Sequence, residues 1–136
     1  MGYVYADIIL KNTYDVLKER SGYIQEPEVR QVLVHALVDT GSGTLVINEA
    51  LRQELGLEIN KKQWITLADN TAKLCTYADP VEIHWQDRQS MVQPIVMDDA
   101  KDVLLGAIPL QEMDLIVHPA EHTLVGTHGD KPMVRA

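Results

Sequence analysis

Residues Ala36-Leu37-Val38-Asp39-Thr40-Gly41-Ser42 run from an apolar strand straight into an Asp-Thr-Gly-Ser turn. Asp39 is the only acid of that stretch and sits where the strand ends. The strand behind it and the tight turn in front hold its carboxylate rigidly, as a reactive group has to be held. A chain built around such a turn needs a sheet to anchor the strand, so the rest of the sequence is read for strands.

Val4 to Leu10 is β-branched and apolar, a first strand. Lys11 to Glu28 is polar and broken by Ser21-Gly22 and Pro27, which reads as a loop or a wide hairpin connection. Val29 to Val38 passes from alternating to continuously apolar, as a strand entering a core does. Asn48 to Gly56 predicts a helix: Asn48 caps it, Glu49 suits the positive end of the dipole and Gly56 closes it, with Leu51 and Leu55 on one face. Trp64 to Leu67 and Ala72 to Tyr77 flank Ala68-Asp69-Asn70-Thr71, a hairpin. Val81 to Trp85 and Met91 to Met97 flank Gln86 to Ser90, a second hairpin. Val103-Leu104-Leu105-Gly106 is a strand ending at glycine, Pro109 opens a short helix, and Leu115 to Val117 pairs with Thr123 to Val125. Trp64, Trp85 and Cys75 lie in strand-like runs and are read as core or interface residues. The result is an all-β domain with a barrel-like core and one or two short helices. Residues 1–128 form one domain, and 129–136 have little to pack and read as a flexible tail.

Charge narrows the function. The net charge is −8, with no basic stripe or aromatic ladder, which excludes nucleic acid and disfavours an anionic membrane surface. Phe is absent and Val, Leu and Ile carry the apolar load, which favours strands. The lone Cys75 forms no internal disulfide. Met1 to Asp7 has no basic n-region, Gly2 lacks the Ser or Thr at position 6 that acylation wants, and no apolar run reaches the roughly 18 residues of a membrane span. A cytoplasmic protein is expected. His118-Pro119-Ala120-Glu121-His122 matches a zinc-peptidase string, but that chemistry needs both histidines on one helix, and Pro119 biases His118 away from helix. A polar turn is expected there, with no metal. Asp98, Asp99 and Asp102 read as solvated turn acids.

The order of strand, Asp39 turn, hairpin, Leu104-Leu105-Gly106, short helix and final strand resembles the aspartic proteases of the retropepsin type (clan AA), in the small single-domain bacterial form. The likeness runs from about Val4 to Val125, and its two motifs lie about 65 residues apart in the matching order. It implies a closed β-barrel of the acid-protease fold, a homodimer, and hydrolysis of a peptide or protein substrate by water activated between two Asp39 carboxylates, without cofactor. One carboxylate cannot serve as base and acid at once, whereas two in contact share a proton, a case for which aspartic proteases are the standard example. With a single Asp-Thr-Gly in the chain, the second Asp39 comes from a symmetry mate. By the same resemblance, Thr40 reaches across the two-fold axis to the partner's backbone. Gly41 lets the chain pass close to the carboxylates, with a backbone φ that a Cβ would forbid, and Ser42 donates to the carboxylate and favours its ionised form. Ala68, Asp69, Asn70 and Thr71 stand in the place of the substrate-covering flap, whose tip in this family is usually glycine-rich and here has no glycine. Leu104 lines the pocket beside the scissile bond and implies apolar substrate side chains. The alternative is a non-catalytic dimeric β module of the same fold that binds peptide or only assembles.

Overall fold

The computed structural model describes residues 3–118 and 120–136. Gly2 and Pro119, both weighed above, lie outside the described residues. In chain order the elements are β1 (Tyr5–Asn12), α1 (Thr13–Arg20), a 3-10 turn (Glu26–Glu28), β2 (Gln31–Val38), β3 (Leu45–Ile47), α2 (Glu49–Glu54), β4 (Ile59–Thr66), β5 (Ala72–Ala78), β6 (Val81–Trp85), β7 (Arg88–Val92), β8 (Ile95–Val96), β9 (Leu104–Leu105), α3 (Ala107–Glu112), β10 (Leu115–His118) and β11 (Thr123–Gly126). Nine strands form one sheet in the order β4-β5-β8-β3-β9-β2-β1-β6-β7, and β10-β11 form a separate ribbon. The outermost strands β4 and β7 are not neighbours in that order, so the sheet is open where a closed barrel was expected.

The inner face of the sheet buries the main core, and Val46, Cys75 and Ile95 form a smaller cluster apart from it. β1 alternates, with Ala6, Ile8 and Leu10 buried and Tyr5, Asp7 and Ile9 exposed. Those buried residues join Leu45 and Ile47 of β3, Ile83 of β6, Leu105 of β9, and Leu110, Met113, Leu115 and Leu124 from the C-terminal elements in one cluster. At about 25 cal/mol per Å² of apolar surface, this cluster dominates the stabilisation. β2 alternates as far as Ala36, with Leu33 and His35 exposed, and then runs buried to half-buried through Ala36, Leu37 and Val38, as a strand entering the core does.

Lys11 to Glu28 is not a loop. Asn12, 2% exposed, caps α1 by accepting from Asp15 N–H at 3.1 Å, and its amide donates to Leu55 O at 2.9 Å. The buried Asp15 carboxylate accepts from the Arg30 backbone N–H (3.0 Å) and from two nitrogens of the Arg30 guanidinium (2.8 and 2.9 Å). The polar residues that suggested a loop are the ones that fix this helix to the start of β2.

The hairpin expected at Gln86 to Ser90 is tighter than its sequence suggests. Only Gln86-Asp87 turns, and β7 already begins at Arg88. Arg88 and Ser90 point inwards: Arg88 Nη1 donates to Met113 O and Asp114 O at 2.9 Å, and Ser90 Oγ donates to Glu112 Oε1 at 2.7 Å. Their polarity serves the join between sheet and α3, not solvent. α2 follows its expectation, with Asn48 Oδ1 accepting from Leu51 N–H at 2.9 Å and Gly56 left-handed at φ +66°. α3 begins at Ala107, ahead of Pro109. Cys75 is buried, while Trp64 is 66% exposed and is no core residue. Residues 129–136 form no strand or helix, but Gly129 O accepts from Arg88 and the Met133 N–H donates to Asp114 Oδ2 at 3.1 Å. No helix among the described residues is long and apolar enough to cross a membrane.

Candidate active site

β2 delivers Asp39. Leu37 N–H donates to Val103 O (2.8 Å), Val38 N–H to Val4 O (2.8 Å) and Asp39 N–H to Leu105 O (3.0 Å), so the strand is held from both sides up to the acid itself. The turn closes when Ser42 N–H donates to Asp39 O at 3.0 Å, and Gly41 N–H donates to the Asp39 carboxylate at 3.0 Å. Gly41 does not have a positive φ. Its glycine serves space: a Cβ there would stand 3.2 Å from Asp39 Oδ1. Ser42 Oγ donates to Thr44 O at 3.3 Å, not to the carboxylate, so the expected role of Ser42 passes to the Gly41 amide. Thr40 is exposed and borders a hollow with Ala107, Gln111, Ile116 and Val117.

Leu104-Leu105-Gly106 is the wedge that keeps the turn in place. β9 inserts between β2 and β3, parallel to β2 with Val38 opposite Leu105 and antiparallel to β3 with Leu45 opposite Leu105. Two consecutive leucines suit this because Leu105 is fully buried in the core while Leu104 faces the other way, into the cavity. Beyond Gly106, Ala107 N–H donates to Ser42 O at 2.8 Å and Ile108 N–H to Gly43 O at 3.0 Å. These are N–H groups that the first turn of a helix cannot satisfy internally. The α3 start therefore carries the far side of the Asp39 turn.

Above the turn lies a cavity of about 510 Å³. Asp39, Gly41, Ser42 and Thr44 form its polar side, and Val46, Ile65, Leu67, Ala68, Tyr77, Ile95, Met97, Leu104 and Ile108 its apolar walls. Asp39 is the one acid among these lining residues. Of the residues named from sequence, the structure brings Asp39, Gly41, Ser42, Ala68 and Leu104 together here. Asp69, Asn70 and Thr71 stand at the exposed tip of the β4–β5 hairpin, outside the cavity wall. The tip turns without glycine because Asn70 takes the left-handed conformation, φ +65°, which asparagine tolerates better than other non-glycine residues. Asp69 braces it, accepting from Thr71 Oγ1 at 2.6 Å and Thr71 N–H at 3.1 Å, and these bonds hold its carboxyl below the usual range.

Thr44, Val46, Ile65, Tyr77, Ile95, Met97 and Ile108 are wall residues that the sequence reading missed. Neither β4 (INKKQWIT) nor β5 (AKLCTYA) alternates apolar with polar, so no period-two signal pointed to Ile65 or Tyr77. The others come from short strands, loops and, for Ile108, the first turn of α3, with no period to read. His118 ends β10, and residues 120–122 form the turn into β11, with Glu121 N–H donating to His118 Nδ1 at 3.3 Å. His118 is in a strand and His122 in a turn, so the two histidines do not share a helix face.

Residues 26–108 match a protein family described as aspartyl protease. No curated protein matches the chain. Among solved structures, the chain is similar to the EIAV protease complexed with the inhibitor HBY-793, at 17% identity over 77% of this chain and 82% of that one, with a TM-score of 0.50. It is also similar to the retroviral protease-like domain of Ddi1 from Leishmania major, at 13% identity over 99% of this chain and 96% of that one, with a TM-score of 0.58. At these identities the likeness is one of fold.

Proposed function

The chain belongs to the aspartyl protease family and has the retropepsin-like fold, and from that premise we propose that it is a homodimeric aspartic endopeptidase. The observation that carries the reading is Asp39, fixed at a strand end in the polar side of an otherwise apolar cavity beneath a hairpin. Two protomers related by a two-fold axis bring their Asp39 carboxylates together, one protonated and one not. The ionised carboxylate takes a proton from a water held between them as that water attacks the scissile carbonyl carbon. The protonated one gives its proton to the carbonyl oxygen. A tetrahedral diol forms, and its collapse breaks the C–N bond as the amine nitrogen receives a proton.

The chain's own residues set up this step. Gly41 N–H steadies the carboxylate, Gly106 and the α3 start hold the turn, and the apolar walls exclude water and bind apolar side chains on either side of the bond. Ala68 to Thr71 cover the substrate, and Thr40 meets the partner protomer. The partners are a second copy and a peptide or protein substrate. Because Cys75 is the one cysteine and is free and buried, the fold needs no oxidising compartment and suits the cytoplasm.

The test is cleavage of a mixed peptide library by the wild type and by Asp39→Asn, with pepstatin as control. Pepstatin-sensitive cleavage that vanishes in Asp39→Asn supports the reading, and cleavage retained in Asp39→Asn sinks it. Peptide binding with no cleavage by the wild type would assign the chain to a non-catalytic dimeric module of the same fold.

A further inference from the structure

The β4–β5 hairpin is locally basic on an acidic chain. Residues 59–78 hold Lys61, Lys62 and Lys73 against Asp69 alone, while the whole chain carries −8. Strand alternation sorts these lysines by face. Ile65 and Tyr77 line the Asp39 cavity, and Lys61 pairs with Tyr77 and Lys73 with Ile65, so both lysines lie on the cavity side. Lys62, opposite Thr76, lies on the outer side with Trp64 and Leu74. Lys73 Nζ is 3.8 Å from Asp99 Oδ1. Lys61 Nζ instead lies 4.9 Å from the centre of the Tyr77 ring, and among the described residues no carboxylate pairs with it.

We propose that Lys61, seated over Tyr77 at the cavity wall, is a specificity residue that selects peptides carrying an acidic side chain a few residues from the apolar one that fills the cavity. This rests on the peptide-binding reading of the Asp39 site. An ammonium resting on an aromatic face is already oriented and still has donors to give. It is a point charge, so it accepts a carboxylate without demanding one approach geometry. It also offsets locally the field of an acidic chain, which would otherwise repel an acidic peptide. β4 advances about 3.3 Å per residue, which sets Lys61 about 13 Å along the strand from Ile65. An extended peptide lying beside β4 advances at a similar rate, so the selected carboxylate sits about three or four residues from the cavity-filling side chain.

The experiment uses the non-cleaving Asp39→Asn protein and fluorescent peptides with an apolar centre. Glu, Gln or Lys is placed three or four residues to either side, and Kd is read by anisotropy at low and physiological salt. The Glu peptide should bind about two- to fivefold tighter than the Gln peptide at low salt, as an exposed ion pair allows. The gap should narrow as salt rises. Lys61→Glu in that background should reverse the order, while Lys62→Glu, the same charge change on the outer face, should leave it. Equal binding of Glu and Gln peptides, an equal effect of Lys62→Glu, or no binding of any peptide overturns the proposal. Wild-type cleavage is followed in parallel. Cleavage without a Glu preference removes Lys61 as a selector and spares the protease reading. Lys61-dependent Glu binding without any cleavage does the reverse.

Discussion

Gly106 lies so close to Ser42 that a Cβ on it would stand 2.6 Å from the Ser42 carbonyl oxygen, the same oxygen that accepts the Ala107 N–H at 2.8 Å. The backbone φ of Gly106 is −93°, which any residue adopts, so glycine is required for space alone. Gly106→Ala must push the Asp39 turn away from α3. The expected cost is about 2–3 kcal/mol, as for other overpacked sites, with cleavage lost more completely than stability. Denaturant unfolding and peptide turnover measure the two, and a stable, fully active Gly106→Ala would show that α3 does not position the turn.

If the site needs one Asp39 from each of two chains, inactive subunits poison active ones. Mixing and re-equilibrating equal amounts of wild type and Asp39→Asn should leave about a quarter of the activity of the same total protein as wild type, because only wild-type pairs work. A linear fall to one half would mean that each chain acts alone. Light scattering should give a dimer at the same concentration.

Ser42 bonds to Thr44 O and not to the Asp39 carboxylate. Cleavage by a proton-sharing pair should be bell-shaped in pH. Ser42→Ala should lower the rate modestly by loosening the turn while leaving the position of that bell where it was. A displaced optimum in Ser42→Ala would mean that the hydroxyl turns to the carboxylate in the working dimer.

The hairpin tip depends on Asn70 at φ +65°. Asn70→Ala should cost the hairpin about 1 kcal/mol, the penalty for a Cβ-bearing residue in the left-handed region, and Asn70→Gly should cost little or nothing. Hydrogen exchange at the Leu67 and Asn70 amides, which close the turn at 2.8 and 2.9 Å, reads the change directly. Equal exchange in the wild type and Asn70→Ala would remove Asn70 as the reason the tip folds without glycine.

Asp15 gives acid sensitivity to the fold. The Arg30 guanidinium bonded to it outweighs burial and holds its carboxyl below the usual carboxylate range. A depressed folded pKa means that the contribution is present above the unfolded value, about 3.9, and is lost as pH falls through the folded one. Asp15→Asn should therefore destabilise by about 1.5–3 kcal/mol at neutral pH, the range for bonds to a charged group. The gap should close in strong acid, where the wild-type carboxylate is protonated too. A gap that stays constant from pH 7 to pH 2.5 would refute this linkage.

Two kinds of information were legible in the sequence. Local backbone chemistry was: the Asp39 turn, the Asn48 cap and Gly56 close of α2, the β4–β5 hairpin and the β10–β11 pair rest on neighbours close in sequence. The order of motifs also exposed the family. α1 escaped because its stabilising partners, Leu55 and Arg30, are distant in sequence, although Asn12 followed three residues later by an acid was a readable cap. The start of β7 escaped because Arg88 and Ser90 look like surface residues until α3 is placed beneath them.

The sequence by itself determined that an apolar run meets a tight turn at Asp39, because the apolar pattern is printed in the chain and the turn's own hydrogen bonds span no more than three residues. The tertiary structure alone decided what surrounds it. Gly106 faces Ser42, Gly41 rather than Ser42 serves the carboxylate, and Lys61 rests on Tyr77 beside the cavity. The first and last of those relations depend on the register between strands, which is fixed only when the whole inner face finds its core at once, and the second depends on side-chain orientation within the turn.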